Sequence, residues 1–458
     1  MVGAMERDVV RQVRIAADDA PITERVQALL DHDDAPLHLV LEPGLHRAAG
    51  LRLRSDVTLE ILAGAELHFL PGYDQYAGTK VAIVAEESDR AMLCAADARN
   101  IALVGGGQIF GAGSTQYVQG EDVQMGTRRA VRYRPRVVVF DACENIRIEG
   151  LHIEDAPMWT MHFAACTRIR VHGLSVDNDR RMPNTDGIVI DGCRDVEITN
   201  SVFRTADDGI VLKTTRREDG TLTGPCEDVI IRDCVIESRS CAIKLGTESF
   251  SAFRRITCER VDIEKSNRGL GILSRDGGVV EDIRFAQITL DCHETPEGFW
   301  GSGEAVTITV IDRRPEEGPA GSVRGVVIED VHGKMEGALC FVSARADGIS
   351  DLTLRRVTLE QVRGVLGTAA KYDLRPTEAD RFDRFPLGDG NAGRVGGWCY
   401  DAQGRIIGLI DYPGGMPGLY IRGVRDLKTE ALSIIRPDPL PPEFNVQLVV
   451  TEEADGLV

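Results

Sequence analysis

A short motif recurs through the middle of this chain: a cysteine, two polar residues, then two aliphatic residues separated by one position. It occurs at Cys143, Ile146 and Ile148, at Cys166, Ile169 and Val171, at Cys193, Val196 and Ile198, and at Cys226, Val229 and Ile231. The copies alternate apolar and polar residues, the period of a strand with one buried face. Each is followed by a small or turn residue and a second short strand, as at Leu151 and Ile153 or Leu174 and Val176. A unit of roughly 20–35 residues with two or three short strands cannot bury its own apolar face, so such units stack. The expected fold is all-β, a parallel β-helix with one continuous core. The rhythm continues, less regularly, through Ile256, Val261, Ile283, Val326 and Leu352. Stacking puts the four cysteines in one inner ladder. There a free cysteine acts as a small hydrophobe filling a tight corner, and a metal or redox role is the weaker reading.

The ends of such a solenoid need covering. Ile22, Val26 and Leu29 share one helical face, which predicts a short helix over 22–31 that caps the N-terminal end. Residues 1–50 form this cap region of a single domain spanning 1–458. Residues 375–418, rich in Gly, Asp and Arg, predict a long loop excursion. Residues 436–458 begin with four prolines and predict an extended tail.

The net charge of -19 argues against nucleic-acid and anionic-membrane partners, and no run of roughly 18 apolar residues could span a bilayer. The N-terminus lacks the apolar segment of a secretory signal, so the expected location is the cytoplasm, or outside it had a signal been removed. Eleven cysteines without paired metal-ligand spacing predict no disulfide framework, no metal and no cofactor.

One repeat carries chemistry. Asp186-Gly187-Ile188-Val189-Ile190 and Asp208-Gly209-Ile210-Val211-Leu212 are near-copies, with Asp207 beside the second. If they occupy neighbouring coils, three carboxylates gather where strands lie about 4.8 Å apart. Stability alone disfavours that, whereas glycosidic hydrolysis needs one protonated and one ionised carboxyl together. Counting back from the repeat cysteines aligns Arg136, Trp159 and Asp186, and the strand patterns extend this column to Asp208, Cys241 and Leu270. The outward residues beside it are then His162, Val189, Asp191, Val211, Lys213, Lys244, Leu273 and Arg275. Acid, base and cation share one outer face. Trp159 is available to stack on a sugar ring, and the cations either hold a substrate anion or neutralise the acids.

These motifs, with Gly105–Gly111, Arg134–Arg136, Pro157–Thr160 and Asn184–Gly187 in matching order, resemble the polygalacturonase family, glycoside hydrolase family 28, over about residues 20–290. The resemblance implies a right-handed parallel β-helix and an inverting hydrolase of a pectin-like or related glycan. It implies Asp207 as general acid, with Asp186 and Asp208 activating water. Inversion usually needs carboxyl groups roughly 6.5–9.5 Å apart. Two positions depart from the family pattern. Cys241 stands where polygalacturonases carry the His of Gly-His-Gly, and Gly271-Ile272-Leu273 replaces Arg-Ile-Lys. Plain homogalacturonan is therefore expected to be a poor substrate, and Lys244, Arg268 and Arg275, with Asn184, are the alternative substrate contacts. The competing readings are a β-helix polysaccharide lyase or uronate epimerase, in which the aspartates would bind Ca²⁺, and a non-catalytic glycan-binding β-helix.

Overall fold

The computed structural model describes all residues except 1–9, 33–34, 119–122, 125–126, 296–299, 367–369, 381–400 and 454–458. The chain winds into a parallel β-helix. One 19-stranded sheet forms two of its faces, and a 13-stranded sheet forms the face that carries the carboxylates. Pairing runs from coil to coil in parallel register: Ile146 opposes Ile169, which opposes Val196, which opposes Val229. All four are buried, so each coil closes the apolar face of its neighbours.

The corners explain the polar residues that interrupt the strands. Asp56, Asn100, Asn145, Asp195 and Asp228 all adopt left-handed backbone, with φ between 55° and 59°, a conformation Asp and Asn tolerate better than most residues. They also link coils: Asn100 donates to Asp56 and Asn145 to Asn100, each at 2.6 Å.

The cysteine ladder exists as a packing element. The Cys143 N–H points at Cys166 Sγ (3.3 Å), and the Cys166 N–H at Cys193 Sγ (3.4 Å). All ten described cysteines are free and buried.

The expected cap is a helix at Thr23–Asp31, burying Val26 and Leu30 over the first coil. The C-terminal tail differs from a simple extended segment. Its Val449–Glu452 stretch adds a parallel strand beside Leu419–Arg422, because alternating residues there can continue the sheet once the prolines have turned the chain back. The excursion begins earlier than 375. Lys371–Asp373 pairs antiparallel with Leu409–Asp411 and lies on the outer face of the 13-stranded sheet; its 381–400 portion lies outside the described residues. No helix among the described residues is long and apolar enough to cross a membrane.

Candidate active site

Asp186 and Asp208 stand at the entries of two adjacent strands, Ile188–Asp191 and Ile210–Thr214. The glycine after each permits this stacking. A Cβ on Gly187 would sit 2.5 Å from the Gly209 carbonyl, and one on Gly209 would sit 2.7 Å from the Ala242 carbonyl. The Gly187 N–H donates to the Asp208 carbonyl at 2.9 Å, which fixes the two aspartates one rung apart. One carboxylate oxygen from each of Asp186, Asp207 and Asp208 lies within 4.8 Å of the others. The rung spacing of about 4.8 Å expected for adjacent coils thus brings the nearest carboxylate oxygens together.

The three environments differ. Asp208 is 1% exposed, accepts from Ser240 Oγ at 2.9 Å and forms a close ion pair with Lys244 Nζ. Asp207, at 9% exposure, is the most open of the three. Its Oδ1 accepts from the Asp208 N–H at 3.0 Å. Burial, then the negative charge of Asp208, raises its pKa to about 6. Asp186 is pushed well above the carboxylate range by burial, then by Asp207 and Asp208, and its Oδ1 has no hydrogen-bond partner. The cluster therefore favours a proton on Asp186 and keeps one on Asp207 up to about pH 6, while Asp208 faces an ammonium. Among the described residues it is the group placed to hold a metal ion through three such ligands, though Lys244 already occupies Asp208.

The surrounding residues sort differently from their sequence-based placement. Lys213 Nζ pairs with Glu248 at 2.6 Å and lies 5.0 Å from the Trp159 ring centroid. Burial disfavours its charge, but Glu248, Asp186 and Asp208 outweigh that and raise its pKa. Trp159 packs with Met158, Val189 and Val211 and edge-on to His162. His162 is a correction: it is 1% exposed, bonded to Arg136 at 2.7 Å and to Asp191 at 3.3 Å. Burial keeps its pKa low, so it is a neutral packing group behind the tryptophan. Asn184, in left-handed backbone, accepts from Arg134 at 2.8 Å; the same guanidinium holds the Pro157 and Pro183 carbonyls. Arg134 thereby ties together the turns carrying Trp159 and Asp186.

The column also ends differently. Cys241 opposes Arg268, not Leu270. A two-residue shift keeps every side chain on the same face, so the apolar pattern cannot distinguish the registers. Gly271 therefore faces Lys244, and Leu273 faces Gly246. Arg268 pairs with Asp373 at 2.9 Å and Glu304 at 3.5 Å. Arg275 donates to the carbonyls of Leu374 and Pro376 at 2.8 and 2.9 Å. Both arginines hold the excursion rather than joining the aspartates.

Two acids escaped the sequence reading, Glu248 and Glu86. Glu86 lies at the tip between the Lys80–Ala85 and Ser88–Ala96 strands. Its buried Oε2 has no hydrogen-bond partner, and its charge contributes to the raised pKa of Asp207. No local pattern marks it, since the hairpin is an insertion between coils.

Residues 73–296 match the family described as Glycosyl hydrolases family 28. A probable polygalacturonase of Vitis vinifera is 24% identical over 242 residues, 52% of this chain and 48% of the relative; the chain thus spans about half the length of that relative. Two solved structures share the right-handed parallel β-helix. The exopolygalacturonase of Thermotoga maritima has a TM-score of 0.63 at 20% identity, covering 77% of this chain and 88% of that one. The family 28 exopolygalacturonase of Yersinia enterocolitica has 0.68 at 14%, covering 97% and 78%. The stacked aspartates fall inside the matched stretch, so the part of the chain that carries the candidate site is the part similar to glycosyl hydrolases family 28.

Proposed function

We propose that this protein hydrolyses O-glycosidic bonds of a pectin-like glycan, with Asp207 as general acid and Asp208 as base. One observation supports the reading most. A carboxyl with a pKa of about 6 lies within 4.8 Å of a carboxylate paired with a lysine. Two carboxyls whose surroundings separate their proton affinities divide acid and base roles between them. Asp207 gives its proton to the departing glycosidic oxygen. Water attacks the anomeric carbon and passes its proton to Asp208, while Asp186 orients that water. Displacement by water in one step inverts the anomeric centre. Matches to polygalacturonases support a galacturonate-containing or rhamnogalacturonan-type chain.

The compactness of the cluster favours one second reading. Carboxyl groups roughly 5–5.5 Å apart suit double displacement through a covalent glycosyl-enzyme, with Asp208 as nucleophile. Proton NMR of the first-formed anomer separates the two: inversion is expected, and retention would transfer Asp208 to the nucleophile's role.

Digestion of homogalacturonan and rhamnogalacturonan tests the reaction class. The expected result is new reducing ends without ultraviolet-absorbing unsaturated product. Unsaturated product would identify a lyase, and binding without turnover a glycan-binding module.

A further inference from the structure

The outer face of the carboxylate-bearing sheet is covered on both sides of the cluster, and buried arginines fasten each cover. On the N-terminal side, Arg136 stands two strands before Asp186. It is 0% exposed and donates to the carbonyls of Ile83 and Ser88, at the base of the hairpin that ends in Glu86 and Glu87. Arg132 ties Glu87 at 2.9 Å, and Ala85 reaches the Trp159 cluster. On the C-terminal side, Arg268 stands two strands after Asp208. It grips Asp373, while Arg275 grips Leu374 and Pro376, so the strap spans the width of that strand. Leu273 faces outward yet is 2% exposed. Farther on, outward Cys340 and Val342 lie in one apolar cluster with Tyr372, Leu374 and Tyr412 of the excursion.

Five strand spacings, roughly 24 Å, separate the Arg136 and Arg268 strands. Between them Glu248, whose side chain is 24% exposed, Lys244, at 12%, and Asp207, at 9%, are among the groups that reach solvent. A polymer lying along the solenoid and cleaved in its middle would leave the site in both directions. Here both directions meet a wall pinned to the sheet by an arginine.

We infer that the aspartates lie in a blind pocket that receives a glycan chain end, so that the protein acts as an exo-enzyme releasing one short product. The inference rests on the proposed hydrolase function and adds where on the chain it cuts. Nothing in it requires a wall to move. The pocket fixes how far the end can enter, and that depth fixes the product length.

The test is a time course on a pectic polymer cleaved by the wild-type protein, with oligosaccharides blocked at the reducing or the non-reducing end as companions. A single mono- or disaccharide from the first time point is expected, with viscosity falling only in step with released mass. One of the two blocks should abolish turnover. An early ladder of oligosaccharides, or cleavage indifferent to both blocks, overturns the inference and leaves the hydrolase function standing. A binding measurement with Asp207→Asn reads the same geometry without catalysis. Fragmenting the polymer should raise the protein bound per mass of glycan in proportion to the new chain ends. Binding independent of chain ends overturns the inference, and absence of both turnover and binding removes it together with the function it rests on.

Discussion

Lys244 sits one rung beyond Asp208 and forms a close ion pair with its carboxylate, while Asp186, one rung before Asp208, has a carboxylate oxygen without a hydrogen-bond partner. Asp208 thus has a direct ion pair, whereas Lys213 acts on Asp186 only through space and burial dominates there.

Lys244→Met tests the pairing directly. Removing the ammonium leaves Asp208 beside two other acids, and a lost counter-charge disfavours its ionised form. The acidic limb of the kcat/KM–pH profile should move to higher pH. Losses of roughly 10–100-fold should be similar on a charged and a neutral substrate, because the lysine acts through Asp208. A loss confined to the charged substrate would instead assign Lys244 to the substrate carboxylate.

Asp207→Asn should lower turnover by at least ~10²-fold and stabilise the protein at neutral pH. The folded-state pKa of Asp207, about 6, lies above its ordinary 3.8. The unfolded chain therefore releases this proton first as pH rises. Wild-type stability from this group is complete below about pH 4 and declines through pH 6. The variant should melt higher at pH 7, on the order of 2 °C, and at the same temperature near pH 4. Wild-type kcat/KM should fall above about pH 6, as the acid loses its proton.

Glu86→Gln removes a negative charge that helps hold the Asp207 proton. The alkaline limb of the activity profile should shift to lower pH, with the fold intact by circular dichroism. An unmoved limb would mean that solvent screens Glu86 from the cluster.

Homogalacturonan should be cleaved more slowly than a branched or rhamnose-containing pectic chain. Cys241 and Leu273 are both buried, so neither offers a polar contact where polygalacturonase motifs carry His and Lys. Initial rates of reducing-end release on the two polymers decide this.

The coils from Cys143 to Ile231 were legible because each repeats the same inward pattern, and the carboxylates because the Asp-Gly pair recurs at the same point of two coils. The register beyond Cys241 was not, since period-two alternation fits Arg268 and Leu270 equally. His162 has the parity of an outward residue, but parity does not reveal that a hairpin and Arg136 bury that stretch of outer face. The same blindness hid Glu86 and gave Arg268 and Arg275 to the substrate. Covers arrive from distant insertions at 80–96 and 371–376, and no local period reports what a loop folds back upon.

The cysteine ladder turns the fold into its own stopwatch. Ten described thiols are sealed, and burial raises the pKa of those at Cys166, Cys226, Cys241 and Cys292, so an alkylating reagent finds little thiolate to attack while the coils stay stacked. Opening one coil uncovers the sulfur that its neighbour's N–H rests against. Labelling under native conditions would therefore clock the unzipping of the solenoid, and the order in which cysteines along the chain are tagged would tell from which end it comes apart.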